Sequence, residues 1–186
     1  MNNYRQDFSN DIAIIGMSID FPKSETLDEF WDILQHGEDC IREIPENRKS
    51  YTNYYLEKTN KKMDASFVEA AYLEDIDMFD YDFFGISRRE ACLMDPNQRI
   101  FLQVAWRSLQ DAGYSERAVK EKNIGVFVGF LGDSRYSEII ENFDPASLSA
   151  AAMGNCMPLV AGRIAYILNL KGPNMIVNTT CSSSLV

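Results

Sequence analysis

The sequence predicts an α/β protein in which helices cover both faces of a sheet. Three short apolar runs with strand character alternate with longer segments whose apolar residues recur every three or four positions. The order is strand, helix, long insertion, helix, strand, helix, strand, which indicates a layered, mixed α/β architecture. A content of 46% hydrophobic and 25% charged residues is typical of a globular chain. Because no helix pattern follows the third run, one apolar sheet face is expected to stay uncovered.

The first half of the chain begins with a predicted strand and a predicted helix. Residues 11–16 (DIAIIG) have the composition of a short buried strand that ends at a glycine turn. Thr26 is a candidate N-cap for a helix over residues 27–35, and Gly37 lies just past its end. The apolar residues that share one face of this helix are Leu27, Phe30, Trp31 and Leu34. Residues 40–87 show no helical or strand period, so a long loop region with short elements is expected there.

The second half of the chain alternates more regularly. Asp95 and the proline after it form a strong helix opening, which predicts a helix over residues 96–112. The residues expected on its buried side are Ile100, Phe101, Val104, Ala105 and Leu109. Residues 123–130 are apolar enough to form a central strand. Another helix is expected over residues 158–168, followed by a third strand over residues 174–178.

The charge of the chain restricts the partners it can have. A formal net charge of −10 argues against a general nucleic-acid surface or a surface for anionic membranes. The modest basic run between Arg48 and Lys62 is attributed to a solvated loop rather than to a site for an acidic partner. The acidic residues between Glu74 and Asp82 are likewise interpreted as a solvated loop, in preference to cation chemistry.

Cysteine usage and the start of the chain bear on the compartment. The four cysteines, Cys40, Cys92, Cys156 and Cys181, are widely spaced and lack CxxC pairing, so neither a metal site nor a disulfide framework is expected. Residues 1–10 lack the apolar core of a signal peptide. No stretch approaches the ~20 apolar residues that cross a bilayer. These observations predict a soluble chain in a reducing, cytoplasmic setting.

The strongest candidate for chemistry is Cys181. A β-branched run leads into Asn-Thr-Thr-Cys-Ser-Ser-Ser, which places the thiol at a strand-to-helix corner. The partly positive end of a helix would favour the thiolate, and backbone N–H groups near a nucleophile at such a turn can stabilise an oxyanion. A buried structural cysteine is the alternative interpretation.

Several motifs resemble, in the same order, those of β-ketoacyl synthases, specifically the ketosynthase domains of modular polyketide synthases. The tail Val-Asn-Thr-Thr-Cys-Ser-Ser-Ser-Leu-Val is similar to the active-site signature of that family. The other matching stretches are IAIIGM (12–17), FFGIS (83–87), DPNQR (95–99), GVFVG (125–129) and GRIAY (162–166). The resemblance covers residues 11–186, with residues 1–10 as a leader.

The resemblance implies the N-terminal half of a thiolase-like α/β/α/β/α fold that acts on carrier-protein thioesters. Cys181 would accept an acyl chain from the phosphopantetheine arm of an acyl carrier protein, and its backbone N–H would be an oxyanion donor. A malonyl-type extender would then lose CO2 and attack the thioester in a Claisen condensation. Met153 and Asn155 would contribute to the substrate pocket, because residues 153–155 resemble a loop that approaches the acyl pocket across the homodimer interface. Thr180 would contribute because it lies beside the nucleophile. The resemblance implies no metal and no directly bound cofactor.

The chain also departs from the family pattern. Asn178 stands where the family usually has Asp, and Thr180 where it usually has Ala or Ser, so both bear on acyl-chain preference. The two family histidines that assist decarboxylation lie downstream of the cysteine, and His36, the single histidine here, matches neither. The chain alone is therefore expected neither to condense nor to fold stably without the C-terminal half of a ketosynthase. A non-catalytic docking or scaffold module and a self-acylating partial enzyme are the alternatives.

Overall fold

The computed structural model describes residues 11–60, 67–132 and 135–185. Within these ranges the helices are α1 (Leu27–His36), α2 (Glu46–Lys58), α3 (Arg88–Leu93), α4 (Pro96–Asp111), α5 (Glu116–Val119), α6 (Tyr136–Phe143), α7 (Leu148–Gly154) and α8 (Leu159–Ile167). The strands are β1 (Val126–Gly129) and β2 (Asn174–Val177), and the 3-10 segments are Pro145–Ser147 and Thr180–Leu185. The leader assigned to residues 1–10 lies outside the described residues.

The two strands form a parallel pair that carries the candidate nucleophile at its end. Val126 lies opposite Asn174, and Gly129 lies opposite Val177. Helix α8 packs on one face of the pair, where Val128 and Ala161 are buried against each other. On the other face, the register partners Phe127 and Met175 are exposed, which confirms the expected uncovered face. The prediction that β1 is a central strand is wrong for the described residues, because there it pairs with β2 alone.

The main core lies between α4 and α8. Leu102 on α4 is 0% exposed and packs in one cluster with Ile164, Leu168 and Met94. The helix itself was predicted correctly, with Asp95 as its N-cap and Gly113 just past its end at φ +75°. Its buried side was predicted in part. Of the five residues expected there, Phe101, Ala105 and Leu109 pack against the core, and all five, Ile100 and Val104 included, are half-buried. The fully buried residues of the helix are Gln98 and Leu102, which the prediction did not include.

Residues 11–16 correct the prediction of a first strand. They have no regular structure, and Ile12 is 96% exposed. A strand leaves its backbone N–H and C=O groups to be paired by a neighbour, and no described segment pairs with these residues. They are held at their end instead, where Gly16 lies so close to Ser108 and Ala112 on α4 that a Cβ atom would overlap them. The Met17 N–H donates to Asp111 Oδ2 at 2.8 Å.

Residues 40–87 correct the prediction of a long loop region, because they contain the 13-residue helix α2. The sequence shows no helical period there because the polar and aromatic residues of α2 alternate without an apolar stripe. Two of its tyrosines pack on another helix, with Tyr54 and Tyr55 against Phe143 of α6 at ring distances of 5.9 and 5.8 Å. The basic residues Arg48, Lys49 and Lys58 therefore lie on a helix and not on a loop, while Lys61 and Lys62 lie outside the described residues. Helix α3 was not predicted either.

Candidate active site

The candidate nucleophile lies at a sharp turn between a strand and a 3-10 segment. Strand β2 ends at Val177, and Thr180–Leu185 begins three residues later, with the exposed Cys181 at its second position. Thr180 has a φ of +57°, in the left-handed region. A β-branched residue rarely adopts this conformation, and such strain is concentrated at functional turns. The predicted strand-to-helix corner at Cys181 is confirmed as a turn, but a 3-10 segment takes the place of the helix, and the strained residue is Thr180, just before the thiol.

Side-chain hydroxyls hold the turn in this conformation. The Thr179 N–H donates to Ser183 Oγ at 2.9 Å, and the Ser183 hydroxyl donates to the Thr180 carbonyl at 2.8 Å. The Ser182 hydroxyl lies 3.0 Å from both the carbonyl and the Oγ1 atom of Thr179. These bonds cross the turn on both sides of Cys181. The serines that follow the cysteine thus stabilise the strained backbone, a role that the sequence did not reveal.

Asn178 takes part in the same turn through its amide oxygen. The Thr180 N–H donates to Asn178 Oδ1 at 3.3 Å, which is the local bond by which Asn and Asp nucleate a turn. A carboxylate could accept the same bond and would add a negative charge beside Cys181. The departure from the family's Asp therefore leaves a turn-forming acceptor in place and removes that charge.

The carboxyl end of β1 packs against the turn. A Cβ atom on Gly129 would lie 3.3 Å from both the Cβ and the carbonyl oxygen of Ser183, so the glycine permits a close approach. The Phe130 N–H donates to the Val177 carbonyl at 3.2 Å and extends the pairing of the strands to the edge of the turn. Gly129 was not predicted to be a residue of the site. The feature that could have indicated it is a glycine at the end of an otherwise apolar strand.

The predicted pocket residues occupy different environments. Thr180 adjoins Cys181 in the turn, whereas Met153 lies on α7 and is 75% exposed. The Asn155 side chain joins the end of helix α7 to the start of α4: it donates to the Leu93 carbonyl at 2.7 Å and accepts from the Asp95 N–H at 2.9 Å. No described hydrogen bond joins Met153 or Asn155 to the turn at Cys181. Their place in a substrate pocket stays a prediction.

A buried polar network fixes the helix that carries Met153. The Arg163 guanidinium on α8 donates to Gln98 Oε1 at 2.7 Å, to Glu90 Oε1 at 2.6 Å and to the Gly154 carbonyl at 3.0 Å. Gln98 is 2% exposed and donates to the same carbonyl at 3.2 Å. No structural role was predicted for Arg163 or Gln98. Two features of the sequence could have indicated one: a polar side chain between apolar residues of α4, and an arginine in an apolar helix.

The remaining candidates do not extend the site. His36 is the last residue of α1, and its Nδ1 lies 2.8 Å from the Asp32 carbonyl on the same helix. All four cysteines are free. Among the described residues, no three His, Cys, Asp or Glu side chains are grouped to hold a metal ion. In the same ranges, no helix is both long and apolar enough to cross a bilayer.

The fold and the site together define an α/β protein with an exposed cysteine at a strained turn between a strand and a 3-10 segment. The family model of the β-ketoacyl synthase N-terminal domain matches residues 9–186. Polyketide synthase PksL of Bacillus subtilis (strain 168) is 42% identical over 175 residues, which are 94% of this chain and 4% of PksL. Polyketide synthase PksM of the same organism is 41% identical over 184 residues, which are 98% of this chain and 4% of PksM.

Solved structures agree with these sequence matches. The ketosynthase from module 6 of the bacillaene synthase of Bacillus subtilis 168 has a TM-score of 0.70 and 38% identity, over 93% of this chain and 26% of that one. The oxazolomycin ketosynthase domain OzmH KS7 of Streptomyces albus JA3453 has a TM-score of 0.71 and 33% identity, over 92% and 30%. The chain belongs to the β-ketoacyl synthase family, and its similarity is to polyketide-synthase ketosynthase domains. The predicted thiolase-like fold class is thereby confirmed, with the chain spanning about 4% of the curated relatives' length.

Proposed function

We propose that this chain supplies the acyl-accepting nucleophile of a polyketide-synthase ketosynthase. The Cys181 thiolate attacks the carbonyl carbon of an acyl group bound to the phosphopantetheine arm of an acyl carrier protein. A new C–S bond forms to Cys181, and the bond to the phosphopantetheine sulfur breaks. That sulfur leaves as a thiolate and takes up the proton that Cys181 gave away. The observation that supports this most is the exposed thiol at a strained, hydroxyl-braced turn.

The turn also offers a way to stabilise the transition state. Negative charge develops on the carbonyl oxygen during the attack, and fixed backbone N–H groups lower its energy without further reorganisation. We assign the backbone N–H of Cys181 as one such donor. The bonds from Thr179 and Ser183 across the turn keep the donor in place before substrate arrives. Thr180 lies beside the thiol, and its methyl-bearing side chain narrows the space for the acyl chain.

The condensation that follows is assigned to the complete ketosynthase domain, of which this chain matches about a quarter of a solved example. There a malonyl-type extender on a second carrier loses CO2, and its carbanion attacks the acyl group on Cys181. The new C–C bond releases Cys181 as a thiolate. His36 has no part in this step, because it lies on α1 with its ring bonded to Asp32. A homodimer of the domain, a C-terminal ketosynthase half and a cytoplasmic setting belong to the same proposal.

The test is intact-mass spectrometry of the chain after incubation with an acyl-phosphopantetheine thioester. The incubation is run with the chain alone and with the C-terminal region of a ketosynthase added. We expect a single acyl adduct that is lost in Cys181→Ala. Cys92→Ala and Cys156→Ala are matched controls, because both of these thiols are also exposed and free. Both control variants are expected to retain the adduct.

Three other outcomes have distinct meanings. If the adduct appears only when the C-terminal region is added, the chain needs that region in order to fold into a reactive state. An adduct shared among Cys92, Cys156 and Cys181 would reduce the reaction to general thiol exchange and contradict the proposal. Carrier binding without any adduct would favour the docking or scaffold module.

A further inference from the structure

An acidic cleft that shares no residue with the turn at Cys181 lies between residues 20–25 and residues 73–76. It encloses a volume of about 270 Å³. Its apolar wall is formed by Phe21, Leu73, Ile76 and Ile100. Its charged lining consists of Asp20, Lys23, Glu25, Glu29, Glu74 and Asp75. The lining therefore combines acidic and apolar side chains.

Most of these charges already have partners. Asp20 lies 3.4 Å from the Arg107 guanidinium, and Glu74 pairs with the Arg42 guanidinium. Glu29 accepts hydrogen bonds from backbone N–H groups at the start of α1. Lys23 donates to the Asp39 carbonyl at 2.7 Å. Asp20 and Glu74 are thus paired with cations, and Glu29 and Lys23 are held by hydrogen bonds to the backbone.

Two carboxylates of the cleft are left over. Among the described residues, the side chains of Glu25 and Asp75 make no hydrogen bond and no ion pair. Both line the first cavity and also an adjoining one of about 420 Å³, so they face a common opening. Two uncompensated negative charges at one opening attract a cation more strongly than either charge alone.

Ser24 provides an independent observation that points to a ligand. Its side chain is 3% exposed and lines the cleft, and its hydroxyl has no hydrogen-bond partner. Its backbone is fully engaged, since the Ser24 N–H donates to the Phe21 carbonyl at 3.0 Å and the Phe21 N–H donates to the Ser24 carbonyl at 2.9 Å. The tight turn, with Lys23 at φ +62°, fixes the backbone of Ser24. A buried hydroxyl without a partner is costly and rare, and a ligand with a polar group would satisfy it.

We propose that this cleft binds a guanidinium group on a short apolar stem. A planar guanidinium has five N–H donors, which is enough to supply a bond to each of Glu25, Asp75 and the Ser24 hydroxyl. Its methylene stem would lie along the apolar wall at Phe21 and Ile76, as the stems of basic side chains do on apolar surfaces. A hard metal ion fits less well, because it needs six or more close oxygen ligands and no such grouping occurs among the described residues.

The test is a two-dimensional ¹H–¹⁵N NMR titration of the labelled full chain, alone and with the C-terminal region of a ketosynthase added, with ethylguanidinium and with N-ethylurea as its neutral analogue of the same shape. We expect saturable shifts at the amides of Ser24 and Asp75 with ethylguanidinium only. The affinity is expected to fall as salt is added, because exposed charges are screened over ~10 Å at 0.1 M. Equal shifts with N-ethylurea, or no saturable shift with either compound, would overturn the proposal.

Matched variants assign the effect to the cleft. The double variant Glu25→Gln/Asp75→Asn is expected to bind ethylguanidinium about tenfold more weakly or worse, because it removes both charge-assisted bonds. Asp82→Asn removes a charge from the same acidic segment but lies outside the cavity lining, and it is expected to bind normally. An equal loss in Asp82→Asn would reduce the effect to general attraction by the acidic surface. Ser24→Ala is expected to weaken binding several-fold, and an unchanged affinity would contradict the role of the hydroxyl.

A second ligand distinguishes two sources of the same chemistry. A capped glycine tripeptide with one central arginine is compared with ethylguanidinium in the same titration. Tighter binding of the peptide identifies the natural ligand as an arginine side chain of a partner protein. Equal binding identifies a free alkylguanidinium compound.

Discussion

The apolar side chains between α4 and α8 are buried, whereas those of residues 11–16 are exposed. Leu102 on α4 is fully buried against α8, whereas Ile12, Ile14 and Ile15 project into solvent. Both regions carry large apolar side chains, and they differ in how their backbone hydrogen bonds are made. A helix pairs its own N–H and C=O groups, whereas a strand needs a neighbour. Apolar helices therefore formed where the sequence placed them, while an apolar run without a partner stayed irregular.

The largest expected effect separates these two regions directly. Leu102→Ala should lower the free energy of local opening of α4 and α8 by about 2–5 kcal/mol, because it leaves a cavity in the core. Hydrogen–deuterium exchange measured by mass spectrometry on peptides from both helices would show the lost protection. Ile14→Ala is the matched control and should change it by less than about 0.5 kcal/mol, since its side chain is exposed. Equal effects of the two substitutions would show that Leu102 contributes no more to stability than the exposed Ile14.

The turn at Cys181 belongs to the packed region, because β1 supports it. Gly129→Val should slow acylation of Cys181 about 10–100-fold, since a side chain there must push Ser183 aside and misplace the thiol. The measurement is the rate at which the acyl adduct forms in intact-mass spectra. Gly162→Ala on α8 is the control, because its nearest contact would be an ordinary 3.8 Å. That variant should acylate normally, and a normal rate in Gly129→Val would show that the turn does not depend on β1.

The sequence predicted those features whose cause is local. The caps at Thr26 and Asp95 and the corner before Cys181 follow from residues within a few positions of each other, and all three are confirmed. Helix α2 escaped detection because it is held by its aromatic contacts and lacks an apolar stripe. Family membership was visible because its motifs occur in order along the chain.

The features that the sequence did not predict join distant positions. The pairing of Arg163 with Gln98 spans 65 residues, and the close approach of Gly129 to Ser183 spans two elements of structure. The cleft that contains Ser24 and Asp75 likewise forms only when two separate loops meet. For none of these residues does the neighbouring sequence indicate which distant residue it contacts. Such contacts are set by packing, which propensity and period do not encode.

The smallest expected effect concerns α1, a helix whose apolar face is exposed like residues 11–16 but which forms nonetheless. Its start is held by a capping box, in which Glu29 accepts the N–H groups of Glu25 and Thr26 at 3.0 and 3.1 Å. These bonds favour the carboxylate, so they hold the pKa of Glu29 below its ordinary value of 4.5. The cap's contribution is therefore fully present above pH 4.5 and is lost as the pH falls through the lowered pKa.

Amide exchange at Thr26, followed by NMR from pH 6 down to pH 3, tests this local origin of α1. Exchange, corrected for its intrinsic pH dependence, should rise at the acidic end as the first turn opens. Glu29→Gln should remove most of that pH dependence, because its neutral amide can accept the same bonds without titrating. Asp32→Asn is the control, since Asp32 lies on the same helix outside the capping box, and it should leave the profile unchanged. If α1 instead opened at the same pH in Glu29→Gln, the cap would not hold the helix, and its stability would have to come from the packing that residues 11–16 lack.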